Sequence, residues 1–161
     1  MFQDRDVLTG EAYRTLDERY RLTLPAELAQ GLGGEEGECL IAKERTGCLS
    51  LWNRTEWEGK QNQTLEIVRN KLESGRLDGR LTDVQRLGRL LSTRQRIVPL
   101  AGRGRLVGPE GFRELLGVEP GGAVVVVGAA VCVELWRPES WAETLGQEMP
   151  NFRELFEQLA S

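Results

Sequence analysis

A constant shift of 84 residues lays one part of this chain over another. Trp52 falls on Trp136, Leu16 on Leu100, Arg19 on Arg103, Arg21 on Arg105 and Leu22 on Leu106. The match continues through Pro25 and Pro109, Leu32 and Leu116, Gly33 and Gly117, and Gly37 and Gly121. It ends with Cys48 and Cys132, Leu51 and Leu135, and Trp57 and Trp141. The shared skeleton is L-x-x-R-x-R-L-x-x-P, then L-G-x-x-x-G, then C-x-x-L-W-x-x-x-x-W. A repeat constrains a fold more than any local propensity does, because each copy is one unit that hides its apolar face against the other. Halves of about 40 residues are too small to bury good cores separately. The two copies are therefore expected to pack about a pseudo-two-fold axis into one barrel.

Each copy reads alike. An extended segment (12–16 or 96–100) leads into a tight turn (17–20 or 101–104) and a second short strand (21–24 or 105–107). The proline that follows suits the first turn of a helix, since it has no N–H to donate. That helix (26–30 or 110–116) stops near Gly33 or Gly117. A hairpin comes next, with strands 38–43 and 48–52, or 123–127 and 131–136, marked by β-branched residues and glycine punctuation. Between the copies, Leu65, Val68 and Leu72 fall on one face of a helix running to about residue 74. A connector helix over 81–93 carries Leu81, Val84, Leu87 and Leu91 as an apolar stripe, with Arg80, Arg86 and Arg89 around it. After the second copy, 139–145 reads as helix. Asn151 is the expected N-cap of a last helix striped by Phe152, Leu155, Phe156 and Leu159.

Composition narrows the chemistry. The 161 residues contain no histidine, which removes Ser-His-Asp and Cys-His nucleophile pairs, imidazole metal sites and histidine acid–base catalysis. Cys39, Cys48 and Cys132 show neither C-x-x-C spacing nor an even count, so a reduced, cytoplasmic chain is expected. Residues 1–6 lack the apolar run of a signal peptide, and the apolar run 123–133 is too short to span a bilayer. The carboxylates Glu35-Glu36, Glu56 and Glu58 have no acid–base complement beside them. G-R-G-R at 102–105 lacks the spacing of a phosphate-binding P-loop. The net charge of −4 hides an asymmetry: residues 69–105 hold ten basic and three acidic side chains. Such a run is either a solvated helix face or a local field that draws a polyanion within a Debye length.

One resemblance is specific. Leu16-Asp17-Glu18-Arg19-Tyr20-Arg21-Leu22-Thr23-Leu24-Pro25 resembles the D-x-x-x-R signature of the MraZ family, within the AbrB-like swapped-hairpin barrels, usually written D-x-x-G-R-L-x-x-P. Cys48-Leu49-Ser50-Leu51-Trp52 with Glu56-Trp57 is similar to its C-L-x-L-Y…E-W segment. Val84-Gln85-Arg86-Leu87-Gly88-Arg89-Leu90-Leu91 is similar to its R-x-x-Q-R-L-L-L helix. Gly104-Arg105-Leu106 with Leu116-Gly117-Val118, and Val133-Glu134-Leu135-Trp136 with Trp141, match its second copy. The likeness spans roughly residues 8 to 145. It implies a mainly β fold with helices (α+β), built of two tandem AbrB/MraZ-like repeats packed as a pseudo-two-fold double-psi-type β-barrel. The implied layout is a first repeat at 8–57, a helical connector at 58–95, a second repeat at 96–141 and C-terminal helices at 142–161. The implied protein is a non-enzymatic, cytoplasmic, nucleoid-associated bacterial transcriptional regulator. It would bind short direct repeats of double-stranded DNA in the promoter of the division and cell-wall gene cluster, as a closed homo-oligomeric ring. No cofactor, metal, membrane or small-molecule substrate is expected.

Four arginines are the candidate DNA-binding residues: Arg19, Arg21, Arg103 and Arg105. A guanidinium grips phosphate at two points or reads guanine O6 and N7. The structural alternative pairs Arg21 with Asp17, or bridges the arginines to glutamates at a subunit contact. Asp17 is read as turn-shaping, because a turn aspartate caps nearby backbone N–H groups. Arg80, Arg86 and Arg89 either pack or touch DNA. The four tryptophans are read as packing residues at strand-to-helix junctions, and Cys48 and Cys132 as core. Three departures from the family pattern stand out. Tyr20 replaces the turn glycine, which requires a positive φ or another turn type. Ala101 replaces the second aspartate, so that turn is expected to loosen. Val107-Gly108-Pro109 is expected to shorten the strand before it. Two rival readings follow: a ring-forming assembly protein that has lost DNA reading, and an antitoxin-like module whose toxin-binding tail is the helix at 151–161.

Overall fold

In the computed structural model the described residues are 7–33 and 36–161. The expectations for residues 1–6 and for Glu35 of the Glu35-Glu36 pair lie outside them. The first half contains β1 (Glu11–Thr15), β2 (Arg21–Thr23), α1 (Ala26–Gly31), β3 (Glu38–Arg45) and β4 (Cys48–Trp52). Two connector helices follow, α2 (Arg54–Glu73) and α3 (Leu81–Arg94). The second half contains β5 (Gln95–Pro99), β6 (Arg105–Val107), α4 (Phe112–Leu116), β7 (Ala123–Gly128) and β8 (Val133–Trp136). It closes with α5 (Pro138–Glu148) and α6 (Phe152–Ala160).

Six strands form one antiparallel sheet in the order β1-β7-β8-β4-β3-β5, and β2 pairs with β6 in a separate ribbon. Each half thus lends its first strand to the other: β1 lies on β7, and β5 lies on β3. The hairpins meet in the middle, where β4 pairs with β8. The main core gathers Leu16, Leu22, Leu24, Leu32, Leu100, Leu106 and Phe112 from both halves. Val124, Val125 and Val126 are buried in succession, as expected of a strand covered on both faces. On the far face Cys48, Val125 and Trp136 form a second cluster against Trp141 of α5. The tryptophans pack in matched pairs, Trp52 with Trp57 at 4.7 Å and Trp136 with Trp141 at 5.5 Å between ring centres. All three cysteines are buried, and burial pushes the Cys39 and Cys132 thiols up to about 12.

Strand pairing exposes a slip that the ungapped shift conceals. Leu40 faces Trp52 just as Val125 faces Trp136, so these first hairpin strands are related by 85 residues. An extra residue entering β7 is offset by a bulge between Lys43 and Arg45, and the shift returns to 84 by β4. A one-residue slip would otherwise turn every side chain to the wrong face.

The termini of the helices follow local chemistry, with one exception. Asn53 caps α2, its Oδ1 accepting the Glu56 amide at 3.0 Å, and Pro138 opens α5. Asn151 was expected to cap α6 and does not: its side chain makes no capping bond. It ends a 3-10 turn, Met149–Asn151, which carries Pro150 and already supplies the entry to α6. The expected shortening of the strand before Pro109 is absent too, since β6 and β2 are both three residues long. Pro109 lies beyond the last ladder position, where its missing N–H costs nothing. Neither α2 nor α3 contains a buried residue, and every residue of α6 is exposed.

Candidate nucleic-acid interface

The β2–β6 ribbon places the four arginines. Along it Arg21 faces Val107, Leu22 faces Leu106, and Thr23 faces Arg105. Side chains alternate across a strand, so Leu22 and Leu106 enter the core at 2% exposure each. Arg21, Thr23, Arg105 and Val107 share the outer face. Arg21 and Arg105 sit on one diagonal of that face, a spacing of roughly 7–8 Å between backbones. Antiparallel pairing puts the two turns at opposite ends of the ribbon. Each turn is tied to the other strand's exit: the Gly108 amide donates to the Tyr20 carbonyl at 2.9 Å, and the Leu24 amide to the Gly104 carbonyl at 2.8 Å. Arg19 and Arg103 ride on these turns, and both are exposed.

The turns share a pattern of backbone hydrogen bonds and differ in side-chain support. In the first, the Asp17 amide donates to the Arg21 carbonyl at 3.1 Å and the Tyr20 amide to the Asp17 carbonyl at 3.0 Å. In the second, the corresponding Ala101–Arg105 and Gly104–Ala101 bonds measure 2.8 and 3.0 Å. The second turn therefore keeps both backbone hydrogen bonds but has none of the side-chain bonds that Asp17 makes in the first. It differs in that Arg103 itself is left-handed, at φ 70°.

Of the two outcomes open at Tyr20, a positive φ or another turn type, the residue takes the positive φ, at 58°, matching Gly104 at 76°. Its ring lies under the Arg113 guanidinium, 4.1 Å away, and that contact helps hold the strained residue. At the equivalent place Gly104 meets Ala29, where an added Cβ would come to 2.8 Å from the Ala29 Cβ. Ala29 and Arg113 are themselves related by the 84-residue shift. Large turn residue on long partner has its counterpart in small turn residue on small partner.

Asp17 organises the first turn as expected. Its Oδ1 accepts the Arg19 and Arg21 amides, both at 2.8 Å, and its Oδ2 accepts Arg21 Nε at 2.6 Å. Arg21 is thus ion-paired, while Arg19, Arg103 and Arg105 have no side-chain partner among the described residues. The Arg21 amide above all, with its guanidinium and the Arg19 amide, holds the Asp17 carboxyl below its ordinary value against the opposing effect of desolvation. A depressed carboxylate stabilises the turn above the unfolded value, and that support is lost as pH falls through the folded one. Asp17→Ala is therefore expected to speed amide hydrogen exchange at Arg19 and Arg21 several-fold at neutral pH. Acid below the ordinary carboxylate range should lower the protection factors of the same two amides in the native chain, measured against the slower intrinsic exchange at that pH, and unchanged protection in the variant would contradict the capping role.

The connector arginines are spent differently. Arg80 and Arg86 both approach Asp83, at 3.0 and 4.0 Å. The Arg89 side chain has no partner among the described residues, and all three arginines lie on the connector rather than on the ribbon. Arg94 donates to the Lys43 carbonyl at 3.1 Å. Arg96 and Lys43 both sit over the Phe112 ring, at 5.5 and 5.0 Å. Arg94 and Arg96, at the end of the basic run, are therefore tied to the fold. The cation–π contacts were invisible in the sequence, because their partners lie far apart along the chain.

A family model described as "MraZ protein, putative antitoxin-like" matches residues 7–78. "Transcriptional regulator MraZ" of Clostridium beijerinckii is 30% identical over 134 residues, covering 83% of this chain and 84% of that protein. The chain belongs to the MraZ family. The MraZ protein of Syntrophomonas wolfei is 27% identical over 150 residues, covering 93% of this chain and 94% of its own. The MraZ protein of Thioalkalivibrio sulfidiphilus is 29% identical over 136 residues, covering 84% and 83%. Both carry the same printed name, so MraZ likeness extends through the second half, beyond the residues the family model matches.

Proposed function

We propose that this MraZ-family chain is a DNA-binding transcriptional regulator that reads short direct repeats in a promoter through the β2–β6 ribbon. The observation that carries this reading is the gathering of Arg19, Arg21, Arg103 and Arg105 along one ribbon, three of them without a counter-ion among the described residues. The name "transcriptional regulator" printed for its relatives supports it. The reciprocal loan of β1 and β5 supports two tandem repeats, 8–57 and 96–141, closed into a double-psi-type barrel. On this reading 58–95 is the connector and 142–161 the C-terminal helices. The division and cell-wall gene cluster is the proposed target, and the cytoplasm, at the nucleoid, the proposed place of action. No helix among the described residues is long and apolar enough to cross a membrane.

One protomer offers few phosphate contacts on a chain of net charge −4. A closed ring overcomes this, because linked sites raise avidity about 100-fold or more where their spacing suits the DNA. Uncovered apolar side chains on the helices suit subunit contact: Leu81 and Leu90 on α3, and Phe152, Phe156 and Leu159 on α6, are each more than half exposed. The same α6 surface is what an antitoxin-like reading would assign to a toxin. The reading as an assembly protein without DNA contact draws on Tyr20, Ala101 and the acidic net charge; of these, the two turn residues leave the backbone bonds of both turns in place.

The test is a salt-titrated gel shift of purified protein on the DNA upstream of its own gene cluster, with a scrambled competitor and light scattering on the same sample. A ring that neutralises six to ten phosphates should lose about 10³–10⁵ in affinity between 50 and 200 mM salt. A flat response from an intact oligomer would overturn the mechanism.

A further inference from the structure

We infer that the two turns of each protomer divide the work on DNA: the second turn clamps phosphate, and the first reads sequence, with Arg21 as the specificity-determining residue. This inference rests on the DNA-binding reading above. Charge separates the turns first. Residues 17–23 hold Asp17 and Glu18 against Arg19 and Arg21, which sum to zero. Residues 101–107 hold Arg103 and Arg105 and no acid, which sum to +2. Counter-ion release follows the charge a protein brings to the backbone, so the second turn supplies the salt-dependent affinity.

Geometry separates them again. Asp17 grips Arg21 through Nε at 2.6 Å and caps its amide at 2.8 Å, fixing the guanidinium to the turn. The terminal Nη edge has no partner among the described residues. That free edge is the planar donor pair that matches guanine O6 and N7. A held fork has already given up its rotamer freedom, so less is lost when it docks. Its neutralised charge suits it poorly to phosphate and well to a directional hydrogen bond. Arg105 is the reverse case: Ala101 offers it no carboxylate, and it is exposed, unpaired among the described residues and free to follow a phosphate. Arg103 stands beside it on a left-handed backbone at φ 70°. Both arginines of the ribbon face share one diagonal, so reader and clamp can reach one stretch of duplex together.

The test measures two quantities for each variant on the upstream duplex and a scrambled duplex: the slope of log affinity against log salt, and the ratio of the two affinities. Asp17→Asn with Arg21→Gln keeps the first turn neutral and removes the fork. It should lower the ratio about ten- to hundred-fold per contacted box and leave the slope unchanged. Arg21→Lys keeps the charge and loses the planar fork, and should act in the same direction without disturbing the ion pair's sign. Arg103→Gln with Arg105→Gln should lower the slope by about two for every protomer on the DNA, weakening both duplexes alike and preserving the ratio. The division of work is overturned if the neutral Asp17/Arg21 pair of substitutions lowers the slope, or if the Arg103/Arg105 pair removes discrimination. A wild-type protein that retards neither duplex would instead remove the DNA-binding reading itself.

Discussion

Gly104→Val is expected to lower stability by about 3–5 kcal/mol, moving the urea midpoint far below that of the wild type. Two costs add. The residue stands at φ 76°, where a β-branched side chain is a steric outlier. Its new Cβ would also lie 2.8 Å from the Ala29 Cβ and 3.1 Å from the Leu24 carbonyl oxygen. Neither neighbour yields easily: Leu24 accepts no slack because its own amide is bonded to the Gly104 carbonyl, and Ala29 is 5% exposed within α1. Overpacking of this kind costs about 1–3 kcal/mol by itself, against a total near 5–15 kcal/mol for a domain. Circular dichroism across a urea titration reads the result, and a midpoint within error of the wild type would refute the packing described. The equivalent Tyr20 shows why the position, and not the turn, makes the demand. It tolerates a comparable φ because its ring finds Arg113 where Gly104 finds Ala29.

That exchange marks the boundary of what the chain discloses before folding. The 84-residue shift, the prolines after each short strand and the glycines after each short helix place nearly every strand to within a residue or two. They do so because turn chemistry and alternation are local. A positive φ at Tyr20 was legible as one of two outcomes, because the residue stands where the family pattern has a turn glycine. The Arg113 ring contact was not, because it joins a turn of one half to a helix of the other, and no local rule prices it. The 85-residue slip into β7 and the bulge after Lys43 were also hidden. An insertion and a bulge that cancel leave an ungapped alignment intact. Asn151 misled because a good capping residue was present where Pro150 had already supplied the entry to α6. Among the candidate arginines, sequence left both fates of Arg21 open, an ion pair with Asp17 or a contact with a ligand. The geometry makes them compatible, since the pair engages Nε and leaves the terminal edge free.

Arg19→Ala with Arg21→Ala is expected to abolish specific retardation of the upstream duplex, a loss of at least about 100-fold at moderate salt, with the oligomeric state unchanged. The loss is large because each protomer gives up two guanidiniums, and penalties at linked sites multiply as avidity does. It is clean because neither side chain supports the core. Arg19 is exposed without a side-chain partner among the described residues, and the Arg21 side chain is 39% exposed. Asp17 is left with its two amide bonds, so the turn keeps its shape. The remaining Arg103 and Arg105 should still retard both duplexes weakly at low salt, which distinguishes a lost contact from a lost fold. An assembly protein of the same family would answer in the opposite way. Its ring would change under light scattering, while whatever DNA it retained would be bound as before. The two measurements on one variant therefore separate the regulator from the scaffold, since each reading requires a change where the other requires none.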